Sequence, residues 1–234
     1  MNNYALEKYL NDLLEVDKFD DYCHDGLQIE GRGEINKISI GVSFNEDFIE
    51  KSIDYGADAM LVHHGIFGKD FFVLKGYLKN RVEKVLENGM NLYGYHLPLD
   101  AHPELGNNIS ILRKLGLEVV ERCDVGFIGR FKDEISFEKF TEMVRSILKR
   151  KDIIAYKNRD YVRNVCIISG GASSEIELLE NKADTFLCGD VKEQTRNQAK
   201  EMRINFVDGG HYSTEVFGVQ NLGGLIEEKF NIKC

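Results

Sequence analysis

The sequence predicts an α/β protein made of two similar, interlocked halves, each a mixed, mostly parallel sheet flanked by helices. Two observations lead there. Short apolar segments of strand character alternate with longer amphipathic ones almost throughout the 234 residues, the pattern of βαβ units around largely parallel strands. The alternation also repeats. SIDYGADAMLVHHG in the first half is similar to LLENKADTFLCGDV in the second, and aligning Ala57-Asp58 with Ala183-Asp184 sets an offset of 126 residues. At that offset Ile40 meets Cys166, Val42 meets Ile168 and His64 meets Asp190, while VEKVLENGMNLYGYH matches NQAKEMRINFVDGGH at an offset nearer 114. The expected division is 1–125 and 126–234, closely packed without a long linker. Ligands of open α/β sheets sit beyond the carboxyl ends of strands, so a cleft between the halves is the expected site.

The elements follow in order. In MNNYALEKYLNDLLEV, residues Leu6, Tyr9, Leu10, Leu13 and Leu14 share one face of a helix. That stretch lacks the basic and apolar regions of a signal peptide. NKISIGVS (36–43) places Ile38, Ile40 and Val42 at period two, and NEDFIEKSIDYG reads as a helix ending at Gly56. ADAMLVHH is the next strand, YLKNRVEKVLENG a helix closed by Gly89, and MNLYGYH (90–96) a strand. NNISILRKLG suggests a short helix and FIGRF a strand. SFEKFTEMVRSILKR is a helix with Ser136 placed to cap it, and LKRKD (148–152) closes it, where cations suit the dipole. The rhythm restarts at NVCIIS (164–169).

Composition excludes several classes. No run of about 18 apolar residues is present, so no membrane span is expected. The net charge of −9, with both signs interspersed, argues against a broad nucleic-acid surface, which needs clustered Lys and Arg. The five cysteines form no CxxC pair, and Cys166 and Cys188 fall inside apparent strands. Reduced, buried thiols in a soluble cytoplasmic protein are the expectation.

Chemistry concentrates in a few polar clusters. LVHHGIFGKD (61–70) sets two histidines side by side at the end of an apolar run. Neighbours in a strand point to opposite faces, so the two converge only where the strand ends, and Gly65 permits a turn there. CHDGLQIEG adds His24 and Asp25; LPLDAHPELGNN follows His96 and supplies Asp100 and His102. HYSTEVFGVQNL supplies His211 and Glu215, one helical turn apart on a common face. Imidazole and carboxylate together suit a transition metal. His63, His64, Asp100, His211 and Glu215 are more donors than the three or four of a single zinc site. Two metals about 3.5–4 Å apart would use them all.

Other residues are more open. His96 is either a proton-transfer or supporting residue or a satisfied core imidazole. His102 orients Asp100 or lines the cleft. SGGASSE (169–175) reads as a phosphate-binding glycine turn or, more commonly, as a strand–helix turn with Ser173 or Ser174 as N-cap. Asp190 and Glu193 end a strand at the repeat position equivalent to HHG, facing either the cleft or solvent.

HDGLQIEG, LVHHGIFGK, LYGYHLPLDAHPELGNN and GHYSTE resemble, in order and spacing, motifs of the NGG-interacting-factor-like family of hexameric dinuclear-metal-centre proteins, labelled type-two homologues of GTP cyclohydrolase I. The resemblance runs from about residue 3 to about residue 228, in the short form without an inserted domain. It implies that His64 and Asp100 hold one divalent ion, His63 and His211 the other, and Glu215 bridges both. The ions would be zinc, iron, manganese or nickel, and the assembly a homohexamer. Asp25 where relatives often carry Asn, Gly68 in place of an aromatic, and Tyr212 inside GHxxTE depart from the pattern without removing a ligand. The implied function is a dinuclear metal-dependent hydrolase using metal-activated water on a nucleotide or related small molecule, GTP cyclohydrolase-like activity included. The alternative is a non-catalytic metal-binding ring, acting as a scaffold or on nucleic acid.

Overall fold

A computed structural model describes residues 1–68 and 73–234. Backbone packing groups the chain into Met1–Leu99 with Gly218–Cys234, and Asp100–Phe217. The first unit begins with α1 (Asn3–Leu14), capped by the Asn2 side chain and burying Leu6, Leu10 and Leu14. Then come β1 (Gly26–Ile29), β2 (Ile38–Ser43), α2 (Glu46–Tyr55), β3 (Ala59–His64), α3 (Gly76–Glu87) and β4 (Asn91–Gly94). Among the described residues the strands form a sheet in the order β1-β4-β3-β2. β2, β3 and β4 are parallel, with Ile40 opposite Leu61 and Leu61 opposite Tyr93, and β1 runs antiparallel along β4. β3 is buried from Ala59 through His63, which explains its continuous apolar run: a central parallel strand is covered on both faces. Gly56 closes α2 at φ 71°, in the left-handed region open to glycine.

The helical turn α4 (Leu97–Ala101) leads into the second unit, with α5 (Asn107–Lys114), β5 (Glu118–Cys123), β6 (Gly126–Ser136), α6 (Phe137–Leu148), β7 (Ile154–Tyr156) and β8 (Tyr161–Ile167). A 3-10 segment, Ser173–Leu179, precedes β9 (Thr185–Cys188), α7 (Thr195–Glu201), β10 (Asn205–Asp208), α8 (His211–Thr214) and α9 (Val216–Phe230). The sheet order is β5-β6-β8-β9-β10-β7. β8, β9 and β10 are parallel, and the outer pairings are antiparallel. Ser136 caps α6, accepting from Lys139 N at 3.2 Å. Position 125/126 falls at the turn of the β5–β6 hairpin, where Cys123 pairs with Gly126. The carboxyl-terminal stretch belongs instead with the first sheet: Ile38 N donates to Lys233 O, and Gly223 faces Ile40. Among the described residues, no helix is long and apolar enough to cross a membrane.

The repeat has a physical counterpart at the amino ends of the strands. The Asp58 carboxylate accepts from the main-chain N–H groups of Asn36 and Lys37, just before β2. Its equivalent, Asp184, accepts from Arg163 and Asn164 in β8. Asn91 and Asn205 open the third strand of each parallel set, and each donates its main-chain N–H to the carbonyl of the corresponding aspartate. Their fully buried side chains satisfy neighbouring backbone: Asn91 bonds Gly31 N and Arg32 O, and Asn205 bonds Asn158 N, Arg159 N and Tyr161 O. Aspartate and asparagine thus anchor one end of each sheet; at the opposite, carboxyl ends, His64 closes β3, His96 follows β4 and His211 follows β10.

Asp184→Ala removes the acceptor for two backbone donors. Its expected cost is about 1–3 kcal/mol, read as a lower urea midpoint at unchanged slope; an unmoved midpoint would contradict the anchoring role.

Candidate metal centre

In the first unit the carboxyl ends of β3 and β4 assemble an imidazole cluster. Tyr95 N donates to Val62 O, and the Tyr95 carbonyl then lies 2.9 Å from Nδ1 of the fully buried His63. A carbonyl only accepts, so Nδ1 carries the hydrogen and Nε2 the lone pair. Metal-binding histidines are commonly fixed in this way. His64 Nδ1 lies 3.2 Å from Ser43 Oγ, at the end of β2. The two rings come together with centroids 4.7 Å apart and planes tilted by 40°, because the pleat that would separate neighbours ends here.

Gly65 is needed for a different reason from the turn expected in the sequence. It does not have a positive φ. Instead, the Gln28 amide lies against its Cα, where a Cβ would overlap it. Gln28 Oε1 accepts from Ile66 N at 2.7 Å and Nε2 donates to His24 O at 2.8 Å, pinning the loop after the histidine pair.

His96 joins the cluster. Its ring centroid lies 5.0 Å from that of His63 and 5.7 Å from that of His64, and one ring nitrogen from each of the three falls within 4.8 Å of the others. Asp21 Oδ1 accepts from His96 Nδ1 at 2.7 Å, and Asp25 Oδ1 from His96 N at 2.8 Å. Burial raises the Asp21 pKa, but His96 and the N–H groups of Leu97 and Tyr22 outweigh it and hold the carboxyl below its ordinary range. Burial, with the Asp21 charge and against the stabilising His96 N–H, pushes Asp25 up to about 7. Asp21, Cys23 and His96 form another close group. Burial, then the charges of Asp25 and Asp21, push the Cys23 thiol up to about 12, so it remains protonated and a poor ligand. The Asp21 oxygens accept from His96, Tyr22 and Leu97. This second group orients His96.

In the second unit Asp100 is buried, and its Oδ1 accepts from Asn107 Nδ2 at 2.8 Å and Ser169 Oγ at 2.7 Å. The Asn108 side chain ties Asp100 O, Val125 O and Ser169 N together. One carboxylate oxygen of Asp100 lies within 4.8 Å of one from Glu215, and Glu215 Oε1 lies 3.1 Å from His211 Nε2. The Glu215 side chain is 2% exposed and that of His211 51%. The helix expected to span this pair breaks at Glu215, φ −115°, between α8 and α9. A single turn still brings the two side chains together. Gly170 is held at φ 67°, where a Cβ would strike the Glu215 carboxylate, and its N–H donates to Thr214 Oγ1.

The remaining predicted residues have local partners. His102 Nδ1 accepts from Glu104 N and Leu105 N. Asp190 accepts from Ser173 N and Ser173 Oγ at 2.8 and 3.0 Å, and Glu193 is exposed. Neither Ser173 nor Ser174 is the N-cap: Ala172 occupies that position, without a side-chain cap bond, and the Asp190 carboxylate, from the end of β9, satisfies the Ser173 N–H instead. Gln28, Asp21, Asn107, Asn108 and Ser169 are the supporting residues that sequence reading missed. The Asn-Asn pair and the serine before the double glycine were visible; Asn107 reaches Asp100 across seven residues, but Ser169 reaches it across 69.

An α/β protein with imidazoles and carboxylates gathered at strand ends belongs to the class of histidine- and carboxylate-rich candidate metal proteins. More specifically, the chain belongs to the Duf34/NIF3 (NGG1p interacting factor 3) family, whose model matches residues 1–234. It is 38% identical over 238 residues to a Haemophilus influenzae protein named GTP cyclohydrolase 1 type 2 homolog, covering 98% of this chain and 95% of that one. Its fold is similar to that of the solved protein ybgI, described as of unknown function, with TM-score 0.95 and 34% identity over 100% of this chain and 96% of the other. TTHA1606 from Thermus thermophilus is similar at TM-score 0.92 and 31% identity, with the same coverage of both chains.

Gly170→Ala is expected to cost at least about 1–2 kcal/mol from its left-handed backbone alone, with the overlap on Glu215 added. Gly224→Ala, in an open helical position, is expected to be neutral or stabilising. Equal urea midpoints for the two variants would contradict the close packing of Gly170 on Glu215.

Proposed function

We propose that His63, His64, Asp100, His211 and Glu215 hold two divalent metal ions, and that the protein is a metal-dependent hydrolase acting on a nucleotide or related small molecule. The donor chemistry is the observation that carries this reading. His63 is buried in the tautomer that offers Nε2, and Asp100 and Glu215 are buried within 4.8 Å of each other. Placing two carboxylates so close and so dry costs free energy that cations offset. These residues therefore fit a hard or borderline ion with nitrogen and oxygen ligands: zinc, iron, manganese or nickel.

In the assignment favoured by the family resemblance, His64 and Asp100 serve one ion, His63 and His211 the other, and Glu215 both. A bound pair of this kind supplies Lewis acidity and an activated water. The chain's own contribution is positioning. Asn107 and Ser169 direct one Asp100 oxygen, Tyr95 fixes His63, and the ionised Asp21 keeps the hydrogen on His96 Nδ1. His96 Nε2 is then suited to accept a proton during turnover. The name carried by relatives, GTP cyclohydrolase 1 type 2 homolog, supports a nucleotide substrate and opening of its heterocyclic ring. A cytoplasmic setting is supported by the five free cysteines, four of them buried. The homohexamer is supported by the family resemblance.

Three outcomes test this reading. Glu215→Gln, nearly isosteric, should reduce metal at both positions, whereas His64→Ala should chiefly empty one; elemental analysis that finds two metals per chain in Glu215→Gln would refute the bridge. The purified protein, loaded in turn with zinc, iron and manganese, should hydrolyse at least one member of a nucleotide panel. Absence of turnover with all three would favour the scaffold reading. Light scattering at micromolar concentration should give six chains, and a monomeric mass would overturn the assembly.

A further inference from the structure

Two large aromatic rings stand in solvent beside the imidazole cluster. Tyr22 is 74% exposed and Phe67 46% exposed, although burying an aromatic ring is among the larger apolar gains available to a chain. Their backbone is firmly held. Cys23 and Phe67 pair as an antiparallel bridge, Gly68 N donates to Tyr22 O at 3.2 Å, and Gln28 binds Ile66 N. The neighbouring side chains of Cys23 and Ile66 are buried, while the two rings reach solvent. Phe67 meets His96 edge-to-face, with centroids 5.2 Å apart and an interplanar angle of 88°, and lies 5.8 Å from His64. Tyr22 is 6.3 Å from His96.

We infer that Tyr22 and Phe67 form a stacking platform for a planar aromatic heterocycle, placing its edge against His64 and His96. This assignment rests on the proposed reaction site for its orientation. Apolar ring faces next to nitrogen donors and acceptors complement a ligand with the same division, a π-face and a polar edge. Phosphate and sugar groups gain nothing from these rings, whereas stacking on an aromatic side chain strengthens binding of any base. Tyr22 adds a hydroxyl at its tip, able to donate to or accept from a ring substituent.

The test is isothermal titration calorimetry of the full chain as purified, with guanosine, adenosine and ribose 5-phosphate as probes. Both nucleosides should bind, and ribose 5-phosphate at least roughly tenfold more weakly. Phe67→Ala and Tyr22→Ala should each weaken nucleoside binding roughly 5- to 100-fold, Phe67→Leu should behave as Phe67→Ala, and Phe67→Trp should bind as the wild type does. Nucleoside affinity unchanged in both alanine variants, or ribose 5-phosphate bound as tightly as the nucleosides, overturns the platform. A changed assembly mass in both alanine variants with unaltered affinity does so too, assigning the rings to a contact between copies. The two proposals fail separately. Ring-dependent binding without hydrolysis leaves the platform standing and removes the hydrolase reading; hydrolysis that persists unchanged in both alanine variants does the reverse.

Discussion

The hydrogen bond from His63 Nδ1 to the Tyr95 carbonyl joins the fold of the first unit to its chemistry. Tyr95 N makes the last backbone bond from the end of β4 to β3, and the next acceptor goes to a side chain. A neutral bond of this kind contributes only about 0.5–1.5 kcal/mol. Its larger effect is on proton placement, because it sets the tautomer of a buried imidazole and so determines which nitrogen faces a ligand. His64 follows directly in β3, and His96 directly follows Tyr95. Three imidazoles therefore owe their grouping to the parallel register that places Val62 opposite Gly94.

The ends of the parallel strands divide the work. At the amino ends, Asp58 and Asp184 accept backbone N–H groups, and Asn91 and Asn205 complete the hydrogen bonding of neighbouring loops. Charge is used there for stability. At the carboxyl ends, Asp100 and Glu215 are buried within 4.8 Å of each other. Glycine makes such crowding possible: Gly65 makes room for the Gln28 amide and Gly170 for the Glu215 carboxylate.

Much of this was legible because it is periodic or local. The parallel strands appeared as apolar runs, Gly56 and Ser136 as helix boundaries, and the repeat through Asp58 and Asp184, which perform the same task in both units. The HH and HxxxE pairs were visible because each is set by one strand end or one helical turn. What escaped was non-local. β1, β5 and β7 take their strand identity from antiparallel neighbours rather than from their own pattern, and β5 is exposed at five of its six positions. Gln28 acts 38 residues away on Ile66, and Ser169 acts 69 residues away on Asp100; no spacing rule connects them. The bond from Ser173 to Asp190 is non-local in the same way, joining the end of β9 to a preceding turn.

The most direct measurement of the five-ligand proposal is X-ray absorption at the zinc edge of the zinc-loaded protein. Nitrogen and oxygen neighbours at about 2.0–2.2 Å, with a zinc–zinc shell at about 3.5–4 Å, are the predicted result. A sulfur shell at about 2.3 Å would move the ion to the group containing Cys23, and a spectrum without a second zinc would contradict the dinuclear centre.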